Sequence, residues 1–484
     1  MTRGASLKEL HSFGDVAAED DAVLDYFLTT DAVRQIGEND VFLVLGRKGS
    51  GKTALVRHFC ESGGHGLARP ISLRGYPWNV HARRIDAGAS EIEAYVSAWR
   101  YIIAAELASL LISSRPGIDT KGARALKTFL LDNYGGVTLH LDTILRPPRL
   151  RLSSLSFEPE VLGNKLGGVA LDRDAKDLNL GLELNALSES LLSATTSVAD
   201  SAGIASLALH FDELDQGLAT FDEQRKLMLV GLVLAARSIR RSPQAARCKI
   251  SPVIYLRSDL WDDLTFSDKN KISQTLALSL EWDGGTLRSL VDTRVRTLLG
   301  PTIGWDEIAT PELMRGSQTK WNHILSRTFL RPRDVIKFLN SALVEAKKRS
   351  DDPLLFTNED IVTARTAYSA YLKAELDDEI PAHWPRWEEA LQACSAISTL
   401  TFDRDQFIAE YTKRRSAKND VDPADALRLL YSFSVLGYER RSGYGGTSWA
   451  FQYTDPEAGW DASSTRFKVH LGLKEYAKLR EERT

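Results

Sequence analysis

The chain is poor in sulfur, with three cysteines (Cys60, Cys248 and Cys394) and three methionines in 484 residues. An odd, scattered set of cysteines builds no disulfide framework and has no metal-ligand spacing, which excludes a stapled secreted scaffold or a zinc module. The opening Met1-Thr-Arg-Gly-Ala-Ser-Leu7 has no long apolar run, so no signal peptide is expected. No stretch approaches the ~20 consecutive apolar residues of a membrane span. A large charge of either sign is also missing, since 61 Lys and Arg against 65 Asp and Glu leave a formal charge of −4. That balance argues against strong, indiscriminate nucleic-acid binding while leaving room for a local basic patch. Internal repeats and low-complexity linkers are lacking too. Hydrophobic content of 43% and charged content of 26% are ordinary for globular proteins. The expectation is a cytoplasmic protein, without membrane contact, long enough for two or three domains with their own cores.

What is present is concentrated in one stretch. Val41-Phe-Leu-Val-Leu45 reads as a buried parallel strand and runs directly into Gly46-Arg-Lys-Gly-Ser-Gly-Lys-Thr53. That octet matches the phosphate-binding P-loop, and Ala54-Leu-Val-Arg-His-Phe59 continues with helical spacing. The glycines let the backbone turn tightly and bring its N–H groups near phosphate oxygens, at the positive end of the following helix. Gly46, Arg47, Lys48, Gly49, Ser50, Gly51, Lys52, Thr53 and Ala54 are therefore the candidate nucleotide-binding residues. Lys52 has the reach for the β- and γ-phosphates, and the Thr53 hydroxyl suits Mg²⁺.

The partner half of such a site lies far downstream. Leu207-Ala-Leu-His-Phe211 is a second apolar strand ending in Asp212-Glu213-Leu-Asp215. An Asp at this point is the Walker B position, which helps hold Mg²⁺. Glu213 stands where P-loop ATPases with an additional strand place the base that polarises attacking water. A guanine-reading Asn-Lys-x-Asp is missing, the nearest string being Ser267-Asp-Lys-Asn270, and there is no Leu-Ser-Gly-Gly signature. ATP is therefore expected rather than GTP. Strands are also expected at 68–73, 249–256 and 275–280. At the tip of the 249–256 strand, Arg257 either stabilises charge near the γ-phosphate or pairs with a local acid such as Asp259 or Asp262. Helical periodicity follows over 285–299, with Leu287, Leu290, Val291, Val295, Leu298 and Leu299 on one face. Leu330-Arg-Pro-Arg-Asp334 opens another helix, its Pro and Asp suiting the first turn.

These motifs together resemble a bacterial P-loop ATPase family of the STAND/AAA+ neighbourhood that is common in defence-associated gene clusters. The resemblance is carried by Phe13-Gly14, Ala18-Glu19-Asp20 and Tyr26-Phe27, by the P-loop and Asp212-Glu213-Leu-Asp215, and by Tyr255-Leu-Arg-Ser-Asp259, Leu280-Glu-Trp282 and Arg331-Pro-Arg-Asp334. It implies that a helix of the small lid domain carries a sensor arginine or a Pro-centred motif, for which Arg331 and Arg333 are the candidates beside simple surface capping. It further implies that the segment before the first strand covers the base, so Phe13 or Tyr26 either stacks on adenine or packs in the core. STAND proteins often have two aspartates at Walker B; Glu213 departs from this and favours hydrolysis.

The expected fold is α/β: a P-loop NTPase parallel sheet of the additional-strand type, a helical lid and a C-terminal winged-helix-like domain. The expected divisions are an N-terminal helical segment at 1–40, an ATPase core at 41–284 with an insertion at about 112–205, a lid at 285–350 and the C-terminal domain at 351–484. Within the insertion, 149–157 and 177–184 alternate polar and apolar residues and read as exposed hairpin strands. In the C-terminal domain, helices at 387–396, 405–412 and 422–433 precede two aromatic-rich strands within 436–453, an edge strand at 467–471 and a last helix at 474–483. Arg414, Arg415, Lys418, Arg440 and Arg441 there suit phosphate contacts, whereas the acidic balance favours protein contact. The functional expectation is an ATP- and Mg²⁺-dependent switch or motor, a homo-oligomer with a protein partner in a defence or stress complex. The alternative is a nucleic-acid-binding regulator whose ATP site gates the C-terminal domain.

Overall fold

The computed structural model describes residues 6–63, 66–73, 91–139, 144, 180–214, 221–441 and 446–481, with backbone alone at 180–183. Within these, five strands form a parallel sheet: β1 (Leu43–Leu45), β2 (Leu67–Ser72), β3 (Ser206–Asp212), β4 (Lys249–Leu256) and β5 (Ala277–Ser279). Their order is β2-β3-β4-β1-β5, so β4 lies between the strand that feeds the P-loop and the strand that ends at Asp212. Both faces of β1, β3 and β4 are covered, which explains their near-continuous apolar sequence. Pro252 sits inside central β4, where a missing N–H normally breaks a ladder. Ile254 donates to the Phe42 carbonyl at 2.7 Å. Pro252, two residues earlier, presents its nitrogen to the same side, ahead of the point where the β1 ladder begins at Leu43 opposite Ile254.

The chain divides into two compact units. One contains Thr29–Arg47 and Lys52–Leu280; the other contains Met1–Leu28, Lys48–Gly51 and Glu281–Thr484. In the sheet unit, helices Glu91–Ser114, Leu180–Ser201 and Glu223–Arg240 pack with the sheet around one apolar cluster. The indole N–H of Trp99 donates to the Met228 carbonyl at 2.9 Å and ties the first of these helices to the third. Helix Glu91–Ser114 is long and apolar enough to cross a membrane, contrary to the sequence expectation, but 78% of its apolar window is buried inside the protein. The expected strand at 177–184 is corrected as well, because Leu180 begins a 22-residue helix. Its leucines at 178, 180, 182 and 184 alternate over too short a stretch to separate a period of 2 from the first turns of a helix. The expected strand at 149–157 lies outside the described residues.

In the second unit a single core runs from Leu7 and Phe13 through helices Gly284–Leu299, Pro332–Arg349 and Asn358–Glu379 to Leu479. Leu287, Leu290, Val291 and Val295 are buried as their spacing predicts, whereas Leu298 is 45% exposed. Helix Pro332–Arg349 holds the N-terminal strap through three side chains spaced seven apart. Arg333 Nε donates to the Val16 carbonyl, Asn340 bonds the Phe13 N–H and the Gly14 carbonyl, and Lys347 donates to the Leu10 carbonyl, all within 2.7–2.9 Å. Seven residues are nearly two full turns, so the three side chains share one face. Gly14 has φ +100°, and a Cβ there would lie 1.9 Å from Arg294 Nη1, so only glycine passes this corner.

The C-terminal elements follow the order helix Glu388–Ile397, β6 (Thr401–Asp403), helices Arg404–Arg414 and Pro423–Ser432, β7 (Leu436–Arg441), β8 (Thr447–Ala450) and β9 (Arg466–Val469). The strands form an antiparallel sheet of order β6-β9-β7-β8. The final helix expected at 474–483 is replaced by a 3₁₀ turn, Leu471–Leu473, and further turns up to a bridge between Arg480 and Thr399.

His323, in helix Lys320–Leu325, is buried, and burial followed by the nearby Arg327 pushes its pKa down to about 3. The neutral imidazole therefore contributes fully above the unfolded-state value near 6.5, and that contribution is lost as the pH falls towards 3. Urea midpoints should drop less steeply between pH 6.5 and 4 in His323→Gln than in the parent; parallel profiles would remove His323 as the cause.

Candidate nucleotide site

The P-loop begins where β1 ends. The Gly46 N–H donates to the Leu256 carbonyl of β4 at 3.2 Å, and helix Lys52–Glu61 starts six residues on. Gly51 has φ +100°, a conformation L-residues rarely adopt, and it turns the chain into that helix. Lys52 folds its ammonium onto the loop, donating to the carbonyls of Gly46 at 2.8 Å and Arg47 at 3.1 Å. The Thr53 hydroxyl donates to Asp212 Oδ2 at 2.8 Å, so residues 159 positions apart form one oxygen pair. The Ser50 hydroxyl is buried within the loop and makes no hydrogen bond among the described residues. A P-loop hydroxyl taken from water with no partner is a group that a phosphate oxygen would satisfy. Arg47 and Ala54 are half-buried on either side.

Burial raises the Asp212 carboxyl above its usual range, opposed by hydrogen bonds from the Glu213 backbone and Thr53 and by the charge of Lys52. A cation there would favour the ionised form. The donor set, one hydroxyl and one carboxylate, fits Mg²⁺, which keeps several waters and takes its remaining oxygens from phosphate. Glu213 has φ +58°, the left-handed region, which turns its side chain away from the strand direction. Its carboxylate accepts a hydrogen bond from the Ser72 hydroxyl, at the end of β2 where Ser72 stands opposite Asp212. Ser72 carried no motif, and only the parallel register brings it here. Asp215 lies outside the described residues.

The arginines are placed differently. Arg257 is buried at the tip of β4 and pairs with Asp259, at 3.0 Å from Nε and 2.6 Å from Nη2. In the helical unit, Arg331 is 2% exposed and fully engaged with carboxylates. It binds both oxygens of Asp334, at 2.9 and 3.0 Å, and Glu379 at 2.9 Å. Asp334 also accepts the Phe329 N–H, which closes the turn before the helix. Arg333 reaches the P-loop tip: its backbone N–H donates to the Gly49 carbonyl at 3.4 Å. A Cβ on Gly49, whose φ is +80°, would lie 2.8 Å from Arg333 Cβ. The Arg333 guanidinium bonds the Val16 carbonyl at 2.9 Å and Glu375 at 3.2 Å.

Lys48 pairs with Asp378 at 2.8 Å and Glu375 at 3.4 Å, and the Trp282 indole donates to the Ser50 carbonyl at 2.9 Å. Trp282, Glu375 and Asp378 thus hold the loop tip; Trp282 stood in the Leu280-Glu-Trp282 string of the resemblance, whereas no local pattern pointed to Glu375 or Asp378. Phe13 is fully buried and packs 6.1 Å from the Phe356 ring, while the Tyr26 hydroxyl bonds Asp21 beneath Arg294. Both aromatics serve the core of the helical unit in this arrangement.

The strand order with β4 between β1 and β3, the P-loop and the Thr53–Asp212 pair define a P-loop NTPase fold of the additional-strand type with a C-terminal helical region. Residues 285–377 match the model of the FunZ-associated C-terminal helical domain. Among solved structures, the ORC2 protein of Aeropyrum pernix, determined as ADPNP–ADP complexes, is 14% identical, with 95% of this chain and 91% of that chain covered and a TM-score of 0.39. Cdc6p from Pyrobaculum aerophilum is 11% identical, with coverages of 94% and 96% and a TM-score of 0.31. No curated protein sequence matches the chain.

Lys52→Ala should abolish tight ATP binding and leave the circular dichroism spectrum unchanged; unaltered affinity by titration calorimetry would refute the site. Arg331→Ala should cost about 3–5 kcal/mol of stability in urea, because Asp334 and Glu379 would be left buried without their cation. Arg333→Ala, at a position whose side chain is 21% exposed, should cost less than about 1.5 kcal/mol; equal losses would contradict this division of roles.

Proposed function

We propose that the protein is an ATP-hydrolysing switch. The observation that carries this reading is the Thr53 hydroxyl on Asp212, with Glu213 following directly and held by Ser72. Lys52 and the loop amides would bind the phosphates, and Thr53 and Asp212 would hold Mg²⁺. When bound, Mg²⁺ would offset the negative charge that develops on the phosphates in phosphoryl transfer. Glu213 would orient water in line with the γ-phosphate and accept its proton. Arg257 and Arg333 are the cations whose partners would change with the bound phosphates. The absence of a guanine-reading motif supports ATP over GTP.

The wider role follows from the resemblance of motifs to the defence-associated ATPases. On that basis the protein would act as a nucleotide-dependent homo-oligomer in a defence or stress complex, with 388–469 as a winged-helix-like contact module. The exposed residues at the start of helix Pro423–Ser432 include Asp422, Ala424 and Asp425, and Arg428 pairs with Asp425 at 3.0 Å. Arg440, on the adjoining hairpin, pairs with Asp455 at 2.8 Å. An acid-fronted third helix repels phosphates, which supports a protein partner over nucleic acid. A salt titration of DNA binding tests this directly, and a steep negative slope would reinstate the nucleic-acid reading.

Glu213→Gln keeps the size and hydrogen bonding of the side chain but removes the base. ATP turnover should fall by about 10²–10⁴-fold with ATP affinity retained. Asp212→Asn should weaken both Mg²⁺-dependent binding and turnover. Wild-type hydrolysis by Glu213→Gln would sink the assigned base.

A further inference from the structure

Helix Asn358–Glu379 ends in the run Glu375-Leu-Asp-Asp-Glu379, with no basic residue in its last turn. Carboxylates at this end oppose the helix dipole, so the run breaks a local rule of helix construction. Each acid is matched by a cation, one of them on the same helix and the others from elsewhere in the chain. Lys373 meets Asp377 at 2.6 Å, Arg331 meets Glu379 at 2.9 Å, Arg333 meets Glu375 at 3.2 Å, and Lys48 meets Asp378 at 2.8 Å and Glu375 at 3.4 Å. Two of these pairings are structural, since Arg331 and Glu379 are buried and Lys373 belongs to the same helix. The other three engage the P-loop tip, two through Lys48 itself and one through Arg333, whose backbone N–H donates to the Gly49 carbonyl.

We propose that Glu375 and Asp378 form a carboxylate latch on Lys48 and Arg333, which a nucleoside triphosphate has to displace and a diphosphate does not. The proposal rests on the nucleotide-binding reading given above. The two carboxylates occupy Lys48 and Arg333 at the loop tip in the way phosphate oxygens would. An incoming polyphosphate is repelled by them and competes for the same cations, and the competition grows with each phosphate charge added. By linkage, the carboxylates that weaken triphosphate binding are themselves released by it. The end of helix Asn358–Glu379 then loses the compensation for its acidic run and loosens just before Ile380. The bound phosphates are thereby reported to the chain that leads into the C-terminal elements.

The test is titration calorimetry on the full chain with Mg²⁺ and either ATP or ADP, comparing the parent with Glu375→Gln/Asp378→Asn. ATP affinity should rise about 5- to 30-fold in the variant, and ADP affinity by less than about 3-fold. Asp378→Asn alone changes a side chain that is 68% exposed and keeps the fold, and it should shift ATP affinity in the same direction by a smaller factor. Hydrogen exchange supplies a second readout. A non-hydrolysable ATP analogue should raise amide exchange over 372–379 in the parent, and the double variant should show raised exchange without nucleotide. If the parent binds ATP but neither variant alters the ATP-to-ADP affinity ratio, the latch is overturned while the nucleotide site stands. If neither the parent nor the variants bind ATP, the nucleotide reading falls and the latch falls with it.

Discussion

The placement of β4 between β1 and β3 is the constraint from which the nucleotide site follows. A parallel ladder aligns the carboxyl ends of neighbouring strands, and loops at those ends converge on one edge of the sheet. With β4 as spacer, the P-loop after β1 and the acids after β3 stand far enough apart for a side chain from each to meet. The result is the Thr53–Asp212 hydrogen bond across 159 residues of sequence. The same register sets Ser72 of β2 opposite Asp212 and within reach of Glu213. The site is therefore a property of strand order. Tight turns and helix starts supply the chemistry, but the sheet decides which of them come together.

The helical unit is organised by charges held away from water. Arg331 with Asp334 and Glu379, and Arg294 with Asp21, are ion pairs buried on both sides. Such pairs add little net stability against apolar replacements, yet each is costly to break from one side, so they select one arrangement over near alternatives. Arg294 also bonds the Phe13 carbonyl and lies 4.2 Å from the centre of the Tyr26 ring, which fixes the N-terminal strap in the core. Arg333 and Lys48 form the less buried counterpart, on the P-loop tip. Partly exposed pairs of this kind exchange partners at low cost, and that is where a ligand's charge can act.

Much of the sheet was legible because parallel strands buried on both faces are written as continuous apolar runs, and all five expected strands are present. The P-loop and the Asp212–Glu213 pair were legible because phosphate and Mg²⁺ chemistry restricts residue type at fixed spacing. Leu180–Leu184 misled because alternation over so few residues fits a strand and a helix start alike. The stretch after Leu473 misled because its Lys- and Glu-rich sequence has helical propensity, yet the Arg480 carbonyl accepts the Leu400 N–H at 2.8 Å in a bridge beside Thr399. Tertiary pairing outweighs a propensity of a few tenths of a kcal/mol per residue.

By itself the sequence determined that a strand feeds a phosphate-binding loop, that a second strand ends in a metal-suited carboxylate, and that helices follow. These are local statements, set by backbone freedom at glycine, side-chain periodicity and the reach of single side chains. Which arginine stands at the loop tip was decided by the tertiary structure alone. Arg331 and Arg333 are two residues apart, so helix geometry sends them in different directions. One is sealed against Asp334 and Glu379, and the other lies against Gly49 with Glu375 as its partner. Asp334 is three positions from Arg331, but Glu379, Glu375 and Gly49 are dozens to hundreds of positions away, and only packing sets their distance.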